Sequence, residues 1–124
     1  AWSEEAVSRS LAQGRPVLVD FTAEWCLSCK FNERTVLASE PVQSVLARTR
    51  TQLLVADWTR RDPGIARRLA AHGRAGVPMY LVFSPARPDR PEVLPELLTA
   101  ETVVSALERA AAAPGSLGLS SSPR

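Results

Sequence analysis

Apolar residues run along this chain in two rhythms. In the first they are compact: residues 16–21 (PVLVDF), 52–56 (QLLVA) and 79–83 (MYLVF). Each block is too short for a helix and rich in β-branched, leucine or aromatic residues, so each predicts a buried strand. In the second, apolar residues recur one helical turn apart. Val7 and Leu11 predict a first helix, capped by Ser3, with Glu4 and Glu5 in its first turn, Trp2 and Val7 placed as a staple, and Gly14 as its stop. A helix is expected over residues 26–37, broken and restarted at Ser39-Glu40-Pro41, with Val42, Val45 and Leu46 as the apolar face of the second piece.

Asp62-Pro63 reads as an N-cap and first-turn proline, Ile65 and Leu69 as one helical face, and Gly73 as its end. Thr99 is placed to cap a last helix that turns Val103, Val104 and Leu107 inward. Residues 84–90, with two prolines, predict a turn, and residues 92–94 a short edge strand between prolines. The first two strands are joined through a helix and should be parallel with a right-handed crossover. The last two are joined by a turn and should be antiparallel. The fold class expected is α/β, a mixed four-stranded sheet with helices on both faces. Residues 1–112 form the domain. Residues 113–124 (APGSLGLSSSPR) read as a flexible tail or linker, because little in them can be buried.

Composition changes this picture little. With 45% apolar and 23% charged residues the chain is ordinary for a globular protein. No apolar run approaches the roughly 18 residues of a membrane span, and no signal-peptide pattern is present. The chain starts at Ala1 and its one methionine is Met79, so it is expected to be a mature fragment or a domain of a longer polypeptide. A net charge of +2 says little about partners. Arg60, Arg61, Arg67, Arg68 and Arg74 are the densest basic group, but without a sustained stripe or stacking aromatics they read as a solvated helix face, not a nucleic-acid site.

The candidate chemistry lies in Cys26 and Cys29, the only cysteines, three residues apart in Trp25-Cys26-Leu27-Ser28-Cys29-Lys30. If the strand ends near Thr22, Cys26 sits at the mouth of the next helix, where free N–H groups and the dipole favour a thiolate. Cys29, one turn on, lies deeper. That arrangement assigns Cys26 as the attacking sulfur and Cys29 as the one that resolves the mixed disulfide. A structural staple fits less well, since so short a loop constrains the unfolded chain little. A closed zinc site needs four ligands, and only His72 adds a strong nitrogen donor. Two inert buried thiols stay open as an alternative. Asp20 interrupts an apolar strand six residues before Cys26, as a proton acceptor for Cys29 or as a strand-end acid reaching solvent.

The run Val19-Asp20-Phe21-Thr22-Ala23-Glu24-Trp25-Cys26-Leu27-Ser28-Cys29-Lys30 resembles the active-site segment of the thioredoxin superfamily, and Gly76-Val77-Pro78 resembles that superfamily's cis-proline loop. The resemblance spans about Trp2 to Ala112 and implies a thioredoxin-like fold. More narrowly, Trp-Cys-x-x-Cys-Lys-x-x-Glu, with Leu27-Ser28 in place of Gly-Pro, resembles the C-terminal periplasmic domain of DsbD- and ScsB-type transmembrane thiol:disulfide interchange proteins.

That resemblance implies a protein-disulfide reductase that relays electrons from a membrane-embedded donor domain to a periplasmic acceptor. It implies no cofactor beyond the dithiol, no nucleic-acid partner, a periplasmic location within an inner-membrane protein, and a monomer when isolated. It gives Asp20 the place of the buried acid and sets Glu33 near the dithiol. Pro78 becomes the cis-proline holding Val77's backbone open for a substrate strand, and Trp25 a shield and contact surface beside Cys26. Asp20 and Glu33 together oppose the helix dipole, so Cys26 is expected to stay protonated until a partner docks. Two alternatives accompany this reading: a freestanding thioredoxin-like reductase of one client, and a redox-inert interaction module of the same fold.

Overall fold

The computed structural model describes residues 1–112; the tail expected at residues 113–124 lies outside the described residues. Ten segments follow in chain order: α1 (Glu4–Ala12), β1 (Val17–Thr22), α2 (Leu27–Asn32) continued by a π-helical turn (Glu33–Leu37), α3 (Glu40–Arg48), β2 (Gln52–Asp57), α4 (Pro63–Ala71), β3 (Met79–Ser84), β4 (Arg87–Val93) and α5 (Ala100–Ala111).

The helix starts follow from local chemistry. Ser3 Oγ accepts from the Ala6 amide at 3.0 Å, Asp62 Oδ2 from Ile65 at 3.1 Å and Thr99 Oγ1 from Thr102 at 3.1 Å. Each satisfies one of the amides that a helix leaves without an internal partner. Gly14 and Gly73, just past α1 and α4, have φ of 78° and 73°, which glycine adopts without steric cost.

The sheet order is β2-β1-β3-β4. β1 runs parallel to β2 and antiparallel to β3, and β3 is antiparallel to β4. The fold is thus the mixed four-stranded sheet with flanking helices that the blocks of sequence imply. The central strands β1 and β3 are buried along their whole length. Their side chains alternate between two cores. Leu18, Tyr80 and Val82 pack with Val36, Val42, Val45 and the apolar face of α5. Val19, Phe21, Leu81 and Phe83 pack with Val7, Ile65 and Leu69 of α1 and α4. Asp20 lies on the first of these faces, in register with Tyr80 on β3 and Val55 on β2.

Three local expectations are corrected. Residues 52–56 are not a buried strand but the sheet edge, with Leu53 and Val55 exposed and Leu54 and Ala56 buried; a short leucine-rich run does not reveal which neighbour is missing. The turn expected over residues 84–90 is shorter, confined to Pro85 and Ala86: β4 already starts at Arg87, with a register shift between Val82 and Ser84. An edge strand tolerates Pro88 and Pro91 because outward positions need no amide. The helix expected over 26–37 changes to π geometry after Asn32. Among the described residues no helix is long and apolar enough to cross a membrane.

Candidate redox site

Cys26 is the N-cap of α2 and Cys29 lies in its first turn. The sulfurs are joined as a disulfide, with Cα atoms 5.3 Å apart. Cys26 Sγ accepts from the Cys29 amide at 3.2 Å and lies 3.6 Å from Ser28 Oγ. An amide aimed at a sulfur stabilises the thiolate once the bond opens. Cys26 is 7% exposed and Cys29 fully buried, so Cys26 is the sulfur nearer solvent. Ala23 and Val77 pack against the pair, and the Val77–Pro78 peptide bond is cis. The chain therefore brings Cys26, Cys29, Val77 and Pro78 together from segments 52 residues apart in sequence.

Asp20 is 4% exposed, and its Oδ1 has no hydrogen-bond partner. Burial pushes its carboxyl up to about 8, reinforced by the neighbouring Glu33 carboxylate, with Lys30 acting weakly the other way. Glu33 itself pairs with Lys30 at 3.4 Å. Asp20 is thus a buried acid rather than a strand-end acid reaching solvent. The structure brings it beside Glu33, the first residue of the π turn. A shift in helix geometry at such a point is common beside functional sites.

Trp25, Leu27 and Phe31 are exposed around the pair. Trp25 packs against Trp58 with ring centroids 6.1 Å apart, and the guanidinium of Arg61 lies 4.9 Å and 5.0 Å from the two rings. The loop is closed by Glu24 and Thr59: the Glu24 amide donates to Thr59 Oγ1 at 2.9 Å. Tyr80 and Phe83 are core residues, as the apolar block at 79–83 implies, and Trp58 is buried as well. The sequence reading passed over Asn32. It is buried one turn beyond Cys29 and bonds the Tyr80 hydroxyl at 2.9 Å and the Glu96 carbonyl at 2.8 Å. Arg61 and Arg74, expected on a solvated helix face, lie outside α4 instead, Arg61 stacked on Trp25 and Trp58 and Arg74 paired with Glu96, a residue the sequence did not single out. For Asn32 a usable signal existed, an amide on the same helical face as Cys29; for the others only the fold supplies one.

Two cysteines closed into a disulfide at the start of a helix, one near solvent and one buried, form a dithiol/disulfide centre. Its chemistry is thiol–disulfide exchange, that of a disulfide oxidoreductase.

Comparison with known proteins agrees with this geometry. The chain is 38% identical over 82 residues to thiol:disulfide interchange protein DsbD 1 of Pseudomonas aeruginosa, covering 66% of this chain and 14% of that protein. It is 35% identical over 107 residues to the DsbD of Ralstonia nicotianae, covering 86% of this chain and 17% of that protein. The chain thus spans about a sixth of the length of these curated relatives. Among solved structures, the reduced C-terminal domain of Neisseria meningitidis DsbD superposes with a TM-score of 0.67 at 26% identity, over 86% of this chain and 92% of that one. A thioredoxin from Thermus thermophilus gives 0.67 at 23% identity, over 92% and 87%, which speaks for the fold alone. The sequence model of a family described as thioredoxin-like matches residues 1–85. The chain belongs to the thioredoxin-like family.

Proposed function

We propose that this chain is an electron-relay domain of the periplasm. It takes two electrons from a membrane-embedded donor domain of its own inner-membrane protein and passes them to a periplasmic acceptor. The observation that carries the reading is the Cys26–Cys29 disulfide at the start of α2, packed against Val77 with Asp20 and Glu33 close under the same helix. The likeness to DsbD proteins, of which the chain spans about a sixth, supports the relay setting.

In the reduced domain, the Cys26 thiolate attacks one sulfur of the partner's disulfide. That bond breaks, its other sulfur leaves as a thiolate and takes a proton, and Cys26 is held in a mixed disulfide. Cys29 gives its proton to Asp20 in the fraction of molecules whose carboxyl is ionised, a fraction that grows as pH approaches 8, and attacks Cys26 Sγ. The partner's second sulfur leaves as a thiolate and takes up the proton that Cys29 gave, and the Cys26–Cys29 disulfide closes. Two electrons move in all, and the donor domain's dithiol restores the pair by the reverse exchange. No cofactor beyond the two sulfurs takes part. Trp25, Leu27 and Phe31 give the partner an apolar landing surface around Cys26.

A reduction assay tests the exchange. With dithiothreitol as reductant, the chain should speed insulin reduction, and Cys26→Ser should abolish the gain. No acceleration, with no gel shift on thiol labelling, would leave an inert module. The relay setting is tested separately by reading the coding sequence upstream of Ala1: several hydrophobic spans are expected, and a start codon with none preceding it contradicts the relay.

A further inference from the structure

A chain of polar contacts ties the helix that carries the dithiol to the loop that faces it, without passing through either sulfur. Asn32 donates from Nδ2 to the Glu96 carbonyl at 2.8 Å, and its Oδ1 accepts from the Leu98 amide at 3.4 Å. The segment between β4 and α5 is thereby fastened to α2. The Glu96 side chain reaches the other way: its Oε2 pairs with Arg74 Nη1 at 3.3 Å. The same Nη1 donates to the Pro78 carbonyl at 3.1 Å.

That carbonyl needs an outside donor. The pairing of β1 with β3 ends at Phe21 and Met79, so Pro78 lies just beyond the ladder. A buried carbonyl left there without a partner is destabilising. Arg74 fills the gap from the loop leading into β3. Its side chain is only 23% exposed, so its guanidinium is largely committed to these contacts. Val77, the residue before Pro78, packs on Cys26 and Cys29.

We propose that Arg74 is a positioning residue for the exchange reaction: held by Glu96, whose backbone Asn32 fastens, it sets the Val77–Pro78 segment against the dithiol so that a protein partner's extended backbone delivers its disulfide onto Cys26. The proposal rests on the exchange reading above. It makes a distinction that a role in stability alone does not. A protein disulfide needs the loop as well as the sulfur; a small disulfide needs only Cys26.

The test uses the full chain with two oxidants, insulin and 5,5′-dithiobis(2-nitrobenzoate). Arg74→Ala should raise KM for insulin roughly fivefold with kcat little changed, while the rate constant for the small disulfide stays within about twofold. Arg74→Lys should recover part of the loss, since the charge remains but the planar fork does not. Glu96→Gln should raise the insulin KM in the same direction by less. An unchanged insulin KM in Arg74→Ala, or an equal slowing of both oxidants, overturns the proposal. Should Arg74→Ala fail to fold, Glu96→Gln decides by the same ratio, because its side chain is mostly exposed and the change is mild. A wild-type chain that reduces neither oxidant refutes the exchange reading itself; one that reduces both, with an unmoved ratio in the variants, refutes only the role of Arg74.

Discussion

Trp25 Nε1 donates to the backbone carbonyl of Thr59 at 3.0 Å, which fixes the indole beside Cys26 to the loop between β2 and α4. The relationship is reinforced from three sides. Trp58 supports the ring below, Arg61 covers it, and Asp57 holds Thr59 by accepting from its amide at 3.0 Å. The residue preceding Cys26 is therefore held in place by a loop about 34 positions away.

Arg61 also holds a φ of 56°, a conformation that side chains with a Cβ seldom adopt. Two substitutions separate its effects. Arg61→Ala loses the stacked guanidinium and keeps the backbone cost; Arg61→Gly loses the stack and relieves the backbone. Urea unfolding should find Arg61→Ala less stable than wild type by about 1 kcal/mol. Arg61→Gly should recover most of that loss, since the left-handed conformation costs about 1–2 kcal/mol for a residue with a Cβ. Equal stabilities for the two variants would show that the loop relaxes around position 61.

Asp20 should make the fold less stable as pH rises. Its carboxyl is pushed up to about 8 in the folded chain, against 3.8 ordinarily. Below pH 4 both states hold the proton and the shift has no effect. Between pH 4 and 8 the unfolded chain releases the proton while the folded chain keeps it, so unfolding becomes progressively easier. Asp20→Asn mimics the protonated form and should flatten that slope. The expected result is a Tm gain of at least about 5 °C at pH 8 and little change at pH 4. A gain that is the same at both pH values would place the effect in packing instead of ionisation.

Asn32→Ala should be among the costlier single substitutions. It removes the donor to Tyr80 and Glu96 and the acceptor for Leu98 in a buried setting. Leaving such groups unpaired costs about 1–3 kcal/mol each at most, so a loss on the order of 3 kcal/mol is expected in urea unfolding. Tyr80→Phe, which removes one partner only, should cost less.

Much of this was readable from the sequence where the cause is local. Ser3, Asp62 and Thr99 cap their helices because the groups they satisfy lie three residues away. The spacing of Cys26 and Cys29 announces the centre for the same reason, and Asp20 is visible as a charge inside an apolar block. What could not be read depends on distant neighbours. Asn32 meets partners 48 and 64 positions away. Arg74 looks like any helix-end arginine until Glu96 and Pro78 are brought to it. The exposed face of β2 depends on which strand is absent beside it, and no residue within β2 encodes that.

The reactivity of Cys26 should be restrained in the free domain. The amide of Cys29 favours its thiolate, but above pH 8 the ionised Asp20 lies close under the same helix with Glu33 and opposes it. Ultraviolet titration of the reduced domain should give Cys26 a pKa above the free-thiol value of about 8.5, falling in Asp20→Asn. The two groups exchange influence, so the curves should be fitted as a pair. A value well below the free thiol would remove the restraint.

The division of labour between the two sulfurs is the centre of the account, and trapping tests it most directly. Cys29→Ala, reduced and mixed with a disulfide-bonded protein such as insulin, should accumulate a mixed disulfide through Cys26, seen on a non-reducing gel and located by mass spectrometry. Cys26→Ala should accumulate none, because Cys29 is buried. If Cys29→Ala traps nothing while Cys26→Ala does, the attacking sulfur is Cys29 and the assignment is reversed.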